Sequence, residues 1–489
     1  MNERFSTELF SGTFYTAVAK YLSIGISILV TAVLSRILTP SDFGTVAIAT
    51  VFIGMITLLT GSGMSPAIIQ NQELDKNDLN HIFSFTLYLS LISGIFFLFL
   101  SPLIAQIFAD KRLFNICAFL SLNVVFSIVN IVPNALLFKQ KRFRFIAIRT
   151  IIVQLLLGIF SVIAAISGFG IYALLINPII GTLLLFIISY RCYNLSFRFK
   201  IDWKPVKRIL PYSAYQVVFN LMNFTYRNLD KLLIGKFMSI SLLGYYEKSY
   251  RLMMLPLENI SNVITPVLHP LLCEYQNDLA FVYQKYIRLM LFFAYIGFTL
   301  SVVFYFCSTE IIFILFGSQW MQSVPVFKIF SLSIGIQLIQ SAVGAVFQAT
   351  NEMRKLFVAG GIAFIVTVIA IIAGLYSKDL ERLAIYLVSA FYVSFYVYHK
   401  ILIQLVLKSS LSHFFYSLLR PFIVALIIAV ILWVYTYFVD IQSVVLNLFL
   451  KLILSIGCFI GLQTLGIVRD LPSIIQIIRN VISYKKSFN

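Results

Sequence analysis

Long apolar stretches recur along the whole chain, separated by short polar punctuation. A helix needs about 20 apolar residues to cross a hydrocarbon core about 30 Å thick. A transmembrane barrel would show alternating segments of about ten residues instead. The pattern predicts fourteen spans, at roughly 11–35, 43–69, 82–108, 113–138, 146–167, 170–191, 209–236, 242–270, 286–307, 321–349, 356–376, 383–405, 414–438 and 442–467. The expected fold class is an all-α polytopic membrane protein. One set of loops is basic: KQKRFRF at 139–145, RCYNLSFRFKIDWKPVKR at 191–208 and NEMRK at 351–355. The opposite set is short: RILTPSD, ADKR, SGFG and SKDLER. No loop is long enough for a separate soluble domain.

The stretch at 191–208 is the longest polar connection, and sequence on its two sides repeats. SRILTPSDFG (35–44) aligns with GKFMSISLLG (235–244) at a shift of 200, placing Arg36 on Lys236, Ser41 on Ser241 and Gly44 on Gly244. ALLFKQKRFR (135–144) aligns more weakly with AVFQATNEMR (345–354). Each half would hold six spans beginning on the same side, so the repeats are parallel, and transporters built this way place their substrate site between the halves. The expected organisation is an N-terminal lobe at 1–192, a basic connector at 193–208, a C-terminal lobe at 209–405, two further spans within 406–468 and a tail at 469–489. In the tail, SIIQIIRNVISYKK (473–486) sets isoleucines on one side and Gln476, Arg479 and Asn480 on the other. That is an interfacial helix, with Lys485 and Lys486 facing anionic lipid.

Composition agrees. Of 489 residues 60% are hydrophobic and 11% charged, where soluble domains carry about 25% charged. The net charge of +18 would suit nucleic acid, but most Lys and Arg fall in one set of alternating loops and tails. That asymmetry sets topology, placing both termini in the cytoplasm, and no nucleic-acid partner is expected. The five cysteines are scattered without a CxxC and the four histidines lie far apart, so neither a disulfide framework nor a metal motif is indicated and no cofactor is expected. The opening MNERFSTELF leads into a full-length span and reads as the first helix, not a cleaved signal.

The cations inside spans are a separate matter. Span 7 carries Asn220, Asn223, Arg227, Asp230 and Lys231 at spacings of three and four, on one helical face. Span 1 carries Thr13, Thr16, Lys20, Ser23, Ser27 and Thr31, and the shift of 200 puts Lys20 on Asn220 and Ser27 on Arg227. Two equivalent helices with stripes in one register are expected to line one water-filled space. Span 8 adds Glu247, Lys248, Arg251 and Glu258. Arg227 and Arg251 fall about 14 Å from the outer surface at 1.5 Å per residue, with Lys328 at similar depth. Lys451 lies outside the repeat and reads as peripheral.

Ionisable residues within spans mark pathways by default. The plainer reading is internal pairing, Arg227 with Asp230 and Glu247 with Arg251. It fits single pairs and fails for the set: Lys20, Arg227, Lys231, Lys248, Arg251 and Lys328 outnumber Asp230, Glu247 and Glu258. The surplus calls for an anionic ligand, and Arg holds phosphate oxygens in bidentate fashion. Asp230, Glu247 or Glu258 are the candidates for binding a coupling H⁺ or Na⁺.

LTPSDFGTVAIA (38–49), SGMSPAIIQ (62–70), RNLDKLLIGKF (227–237), LLGYYEKSYRLMMLPLENI (242–260) and LFGSQW (315–320) resemble the polysaccharide transporter family. That family comprises Wzx-type and teichuronic-acid-type exporters, within the multidrug/oligosaccharidyl-lipid/polysaccharide flippase superfamily. The resemblance covers nearly the whole chain. It implies two six-helix lobes around a central cavity, plus two C-terminal helices, in a bacterial inner membrane. It implies flipping of an undecaprenyl-pyrophosphate-linked oligosaccharide for surface polysaccharide biosynthesis, beside polymerase machinery and membrane lipids. Arg227, Lys231 and Arg251 would then hold pyrophosphate or acidic sugars, with Lys20, Asn220, Asn223 and Lys328 completing the substrate site. Tyr245, Tyr246 and Tyr250 are candidates for stacking on sugar rings or, more simply, interface tyrosines. One departure stands out: relatives often have an acidic residue where this chain has Gly61.

Two other classes are weighed. A membrane glycosyltransferase or polymerase needs carboxylates or a metal site in a substantial loop, and the chain has no DxD motif and short outer loops. A multidrug exporter for cationic drugs needs an acidic interior, and this one is basic. The expectation is a non-enzymatic transporter.

Overall fold

The computed structural model describes residues 2–61 and 63–464, and their side chains except at 2–14, 209–220, 222, 223, 226, 262–267 and 269–271. The interfacial helix expected at 473–486 lies outside the described residues. Everything regular within them is helical. Ten helices precede residue 240: α1 (Asn2–Ile37), α2 (Pro40–Gly61), α3 (Met64–Gln70), α4 (Lys76–Phe108), α5 (Arg112–Val129), α6 (Ile131–Lys139), α7 (Phe143–Ile166), α8 (Ala173–Ile176), α9 (Thr182–Tyr190) and α10 (Trp203–Phe237). Ten follow: α11 (Ile240–Cys273), α12 (Leu279–Phe306), α13 (Ser308–Phe316), α14 (Ser323–Ser331), α15 (Ile334–Gln340), α16 (Val343–Ala349), α17 (Met353–Tyr376), α18 (Leu380–Lys400), α19 (Leu411–Phe438) and α20 (Val444–Thr464).

In lipid every backbone polar group must be satisfied internally, which only helices and closed barrels achieve. The sequence supplies the starts. Asp75, Asp202, Asp278 and Asp379 cap α4, α10, α12 and α18, each accepting a backbone N–H of the first turn. At α2 the cap is reciprocal: Asp42 N–H donates to Thr39 Oγ1 and Thr39 N–H to Asp42 Oδ2, at 3.3 and 3.0 Å. Thr45, Thr57 and Thr60 donate their hydroxyls back to carbonyls one turn earlier, so much of the polarity inside α2 is locally absorbed.

Eleven helical segments among the described residues are long and apolar enough to cross a membrane, twelve if α14 and α15–α16, bent by 48°, form one span. Fourteen were expected, of which length and apolarity alone account for these eleven or twelve. The other two expected spans are α10 and α11, 35 and 34 residues long but broken up by the polar and charged residues singled out above. Many large side chains that other spans turn outward are apolar, such as Phe99, Ile166, Ile369 and Phe438, as a lipid-facing surface requires.

The chain divides into two compact units, Met1–Gly244 and Tyr245–Asn489. In the first, Ile68, Ile82, Val132, Ala135, Leu195 and Val206 form a common core. The basic connector is tied down here: Ser196 N–H and Arg198 N–H donate to Asn80 Oδ1 and Ser84 Oγ of α4, both at 2.8 Å. In the second unit, Tyr286, Met290 and Phe293 of α12 pack on Leu338, Ile339 and Phe347. The C-terminal helices α19 and α20 join it through Val424, Ile428, Leu432 and Leu462 against Tyr295.

The aligned repeat ends touch. A Cβ on Gly44 would lie 2.0 Å from the Ile240 carbonyl oxygen, and one on Gly244 2.0 Å from that of Pro40. The shift of 200 carries Pro40 onto Ile240 and Gly44 onto Gly244, so the contact is reciprocal between equivalent positions.

Candidate functional site

Within the first unit, α10 is seated on α2 by close approach. An added Cβ on Gly54 would fall 2.6 Å from the Phe224 ring, and one on Gly235 3.0 Å from Ile48. On this anchored helix Arg227 is exposed, Asp230 is buried and Lys231 half-buried. Asp230 Oδ1 accepts the Lys231 backbone N–H at 2.8 Å. Asn228 is spent locally, donating to the Phe224 carbonyl at 2.9 Å. Asn220 and Asn223 lie on the same helix, with side chains outside the described residues. Lys20 is half-buried on α1, and Gln154 of α7 donates to the Ser23 carbonyl one turn on, at 2.8 Å.

Within the second unit, α11 is bolted to the start of α14: Ser249 Oγ donates to the Ser323 carbonyl at 2.9 Å, and Ser323 Oγ to that of Tyr245 at 3.1 Å. Lys248 is 3% exposed, with Nζ 4.7 and 5.1 Å from the ring centroids of Phe316 and Trp320. A desolvated ammonium over two aromatic faces is held by their quadrupoles, which explains its offset from the other charges of α11. Glu247 is half-buried, while Arg251 and Glu258 are exposed. Lys328 is half-buried, 6.0 Å from the Tyr305 ring. Tyr246 is corrected: it is fully buried, stacked on Tyr250 and edge-on to Phe330, so it belongs to the core and offers sugars nothing.

The chain therefore groups Arg227, Asp230 and Lys231 on α10 and Glu247, Lys248 and Arg251 on α11, with Lys20 and Lys328 on separate helices. Arg227 and Arg251 are each exposed, and a guanidinium is a donor fork of the kind that suits phosphate or carboxylate oxygens. No cluster of metal-ligating side chains occurs among the described residues.

Residues 33–325 match the family described as "Polysaccharide biosynthesis protein". The chain belongs to that family. Among its relatives, the "Lipopolysaccharide biosynthesis protein WzxC" of Escherichia coli (strain K12) is 23% identical over 430 residues, 85% of each chain. The "Teichuronic acid biosynthesis protein TuaB" of Bacillus subtilis (strain 168) is 20% identical over 430 residues, 87% of this chain and 88% of the relative. Among solved structures, the lipid II flippase MurJ in an inward closed conformation superposes with a TM-score of 0.75 at 14% identity, covering 94% of this chain and 99% of MurJ. An inward-facing multidrug resistance MATE transporter follows at 0.59 and 16% identity, covering 76% and 92%. The fold is thus one shared with MurJ and the MATE transporter, and the resemblance to the polysaccharide family read from LTPSDFGTVAIA and RNLDKLLIGKF holds.

Two buried cations of this family member escaped the sequence reading. Lys451 is not peripheral. It is 4% exposed, and its Nζ donates to Glu310 Oε1 at 2.5 Å and to the Phe306 carbonyl at 2.9 Å. Asn447 donates to the same Glu310 oxygen at 2.9 Å. The partner is 141 residues away, beyond any local spacing rule. Arg149 of α7, 7% exposed, donates to Ser189 Oγ and, at 3.1 Å, to Asn134 Oδ1. Its place in an otherwise apolar span was the available signal.

Proposed function

We propose that this protein is a non-enzymatic flippase that carries an undecaprenyl-pyrophosphate-linked oligosaccharide from the inner to the outer leaflet for surface polysaccharide biosynthesis. It works in a bacterial inner membrane with both termini in the cytoplasm. The observation that carries this reading is that Arg227 on α10 and Arg251 on α11 are each exposed, in a chain whose relatives are named for lipopolysaccharide and teichuronic acid biosynthesis.

Transport proceeds by alternating access of two lobes around a cationic cavity. Arg227, Lys231 and Arg251 take the pyrophosphate or acidic sugars, and Lys20, Asn220, Asn223 and Lys328 complete the lining. Substrate charge offsets repulsion among these cations and so favours the closed states. Asp230, Glu247 and Glu258 are the groups that would take a coupling H⁺ or Na⁺. The product passes to the polysaccharide polymerase. A drug exporter of the same fold is disfavoured because a basic lining repels cationic drugs.

The test is export of lipid-linked glycan in cells carrying Arg227→Ala or Arg251→Ala at normal membrane abundance. A lost charge-assisted hydrogen bond costs about 1.5–3 kcal/mol, so export should fall roughly ten- to hundredfold, with partial rescue by Arg→Lys. Unchanged export in both would mean that these charges are structural and the phosphate is held elsewhere.

A further inference from the structure

The turn between α6 and α7 holds a second kind of site. Tyr15 of α1 and Lys141, Arg142, Phe143, Arg144, Phe145 and Ile148 line a cavity of about 490 Å³. Three of the seven are cations, and none of the described lining residues is acidic. Two guanidiniums are held in place by tyrosines: Arg144 lies 5.9 Å from the Tyr15 ring centroid, and Arg142 5.9 Å from that of Tyr193. Tyr193 is itself fixed, its hydroxyl donating to Gln140 Oε1 at 3.0 Å. The backbone supports the arrangement, since Lys141 adopts φ 56° and turns the chain sharply between the two helices. Cations crowded into one turn repel one another, and an anion in their midst relieves that repulsion.

The apolar members say what kind of anion. Phe145 and Ile148 are 37% and 46% exposed, immediately beside the charges and on the first turns of a membrane span. A soluble phosphate would leave them in water. An amphiphile would cover them with its acyl chains while its headgroup meets the cations. The span Phe143–Ile166 begins at the cavity, so the cavity sits at headgroup depth. Basic pockets between helices at that depth suit anionic headgroups.

We propose that this cavity binds the headgroup of an anionic phospholipid of the surrounding bilayer, with Arg142 and Arg144 as the phosphate donors. The KQKRFRF turn then has a role beyond setting topology. The cavity's lining includes none of the residues assigned to the substrate, and its fate does not depend on the flippase reading.

The experiment is native mass spectrometry of the full chain from bilayers of phosphatidylglycerol and phosphatidylcholine, counting the lipid retained per chain. Wild type should keep one more phosphatidylglycerol than Arg142→Gln/Arg144→Gln, and prefer it over phosphatidylcholine by about tenfold or more. Arg142→Lys/Arg144→Lys should retain it partly, as a charge without the fork. Should the double glutamine variant not fold, Lys141→Gln on the exposed side chain of the same cavity should weaken retention severalfold. Equal retention of the two lipids by wild type, or unchanged retention in the variants, overturns the proposal. Displacement of phosphatidylglycerol by equimolar undecaprenyl pyrophosphate also overturns it, making the cavity a substrate-loading site instead.

Discussion

At the scale of single residues, the buried pair Lys451–Glu310 and the more exposed network around Arg112 behave differently because water reaches only one of them. Removing one member of a buried pair strands the other charge, at a cost of about 3–5 kcal/mol, whereas replacing both with apolar groups is often neutral. Lys451→Met should therefore lower the thermal midpoint of the purified protein sharply, and Lys451→Met with Glu310→Leu should restore most of it. A single variant as stable as wild type would show that the pair is not charged when buried. Arg112 donates to both oxygens of Asp110, and to Asp42 and Ser41. Burial pushes the Asp110 carboxyl up, but the Arg112 hydrogen bonds and charge outweigh it and hold the group below the usual carboxylate range. The stability this adds is present above the unfolded value, about 3.9, and is lost as pH falls through the lower folded value. Arg112 is 43% exposed, so the effect should be modest, about 1 kcal/mol. Asp110→Asn should lower the thermal midpoint by a few degrees at pH 7 and leave no difference from wild type in acid. A difference that persists unchanged in acid would assign the loss to packing.

At the scale of elements, the spans were legible because a membrane forces apolar runs of fixed length on the sequence, and the caps because Asp and Thr stand at the punctuation. The bend between α14 and α15 was not legible, since the polar residues from 321 to 349, Lys328 and scattered Ser and Gln, are spread along the run and mark no single break. Nor was the aromatic box of Lys248, whose rings lie about 70 residues further along, at Phe316 and Trp320. The repeat was read from ten residues, and its two glycines prove to be the places where backbones meet. Gly44 and Gly244 have no room for a methyl group, because its neighbour would be a carbonyl oxygen and not a yielding side chain. Overpacking of this kind costs about 1–3 kcal/mol. Gly44→Ala and Gly244→Ala should each lower the thermal midpoint measurably, while Gly457→Ala, with nothing within 4 Å of its added Cβ, should not. Equal midpoints for all three would mean that the backbone there yields freely.

At the scale of the whole molecule, the question left by the residue pattern is whether α10 and α11 cross the membrane. Both are long enough, at 35 and 34 residues, since about 20 suffice, yet both carry the charges on which the substrate reading depends. If they cross, those charges lie at bilayer depth and need a water-filled space or a ligand. If they lie along one surface, the same charges are ordinary interfacial residues and the cationic cavity has no basis. Three exposed positions separate these cases: Phe199 in the connector before α10, Phe237 at the end of α10 and Tyr275 after α11. Each would be made cysteine in a background lacking the five native cysteines and probed in intact cells with a membrane-impermeant maleimide. Two crossings predict labelling of Phe237→Cys from outside, with Phe199→Cys and Tyr275→Cys labelled only after the membrane is permeabilised. The same labelling behaviour at all three positions would place both helices on one face, and the Arg227 and Arg251 export results would then need a surface explanation.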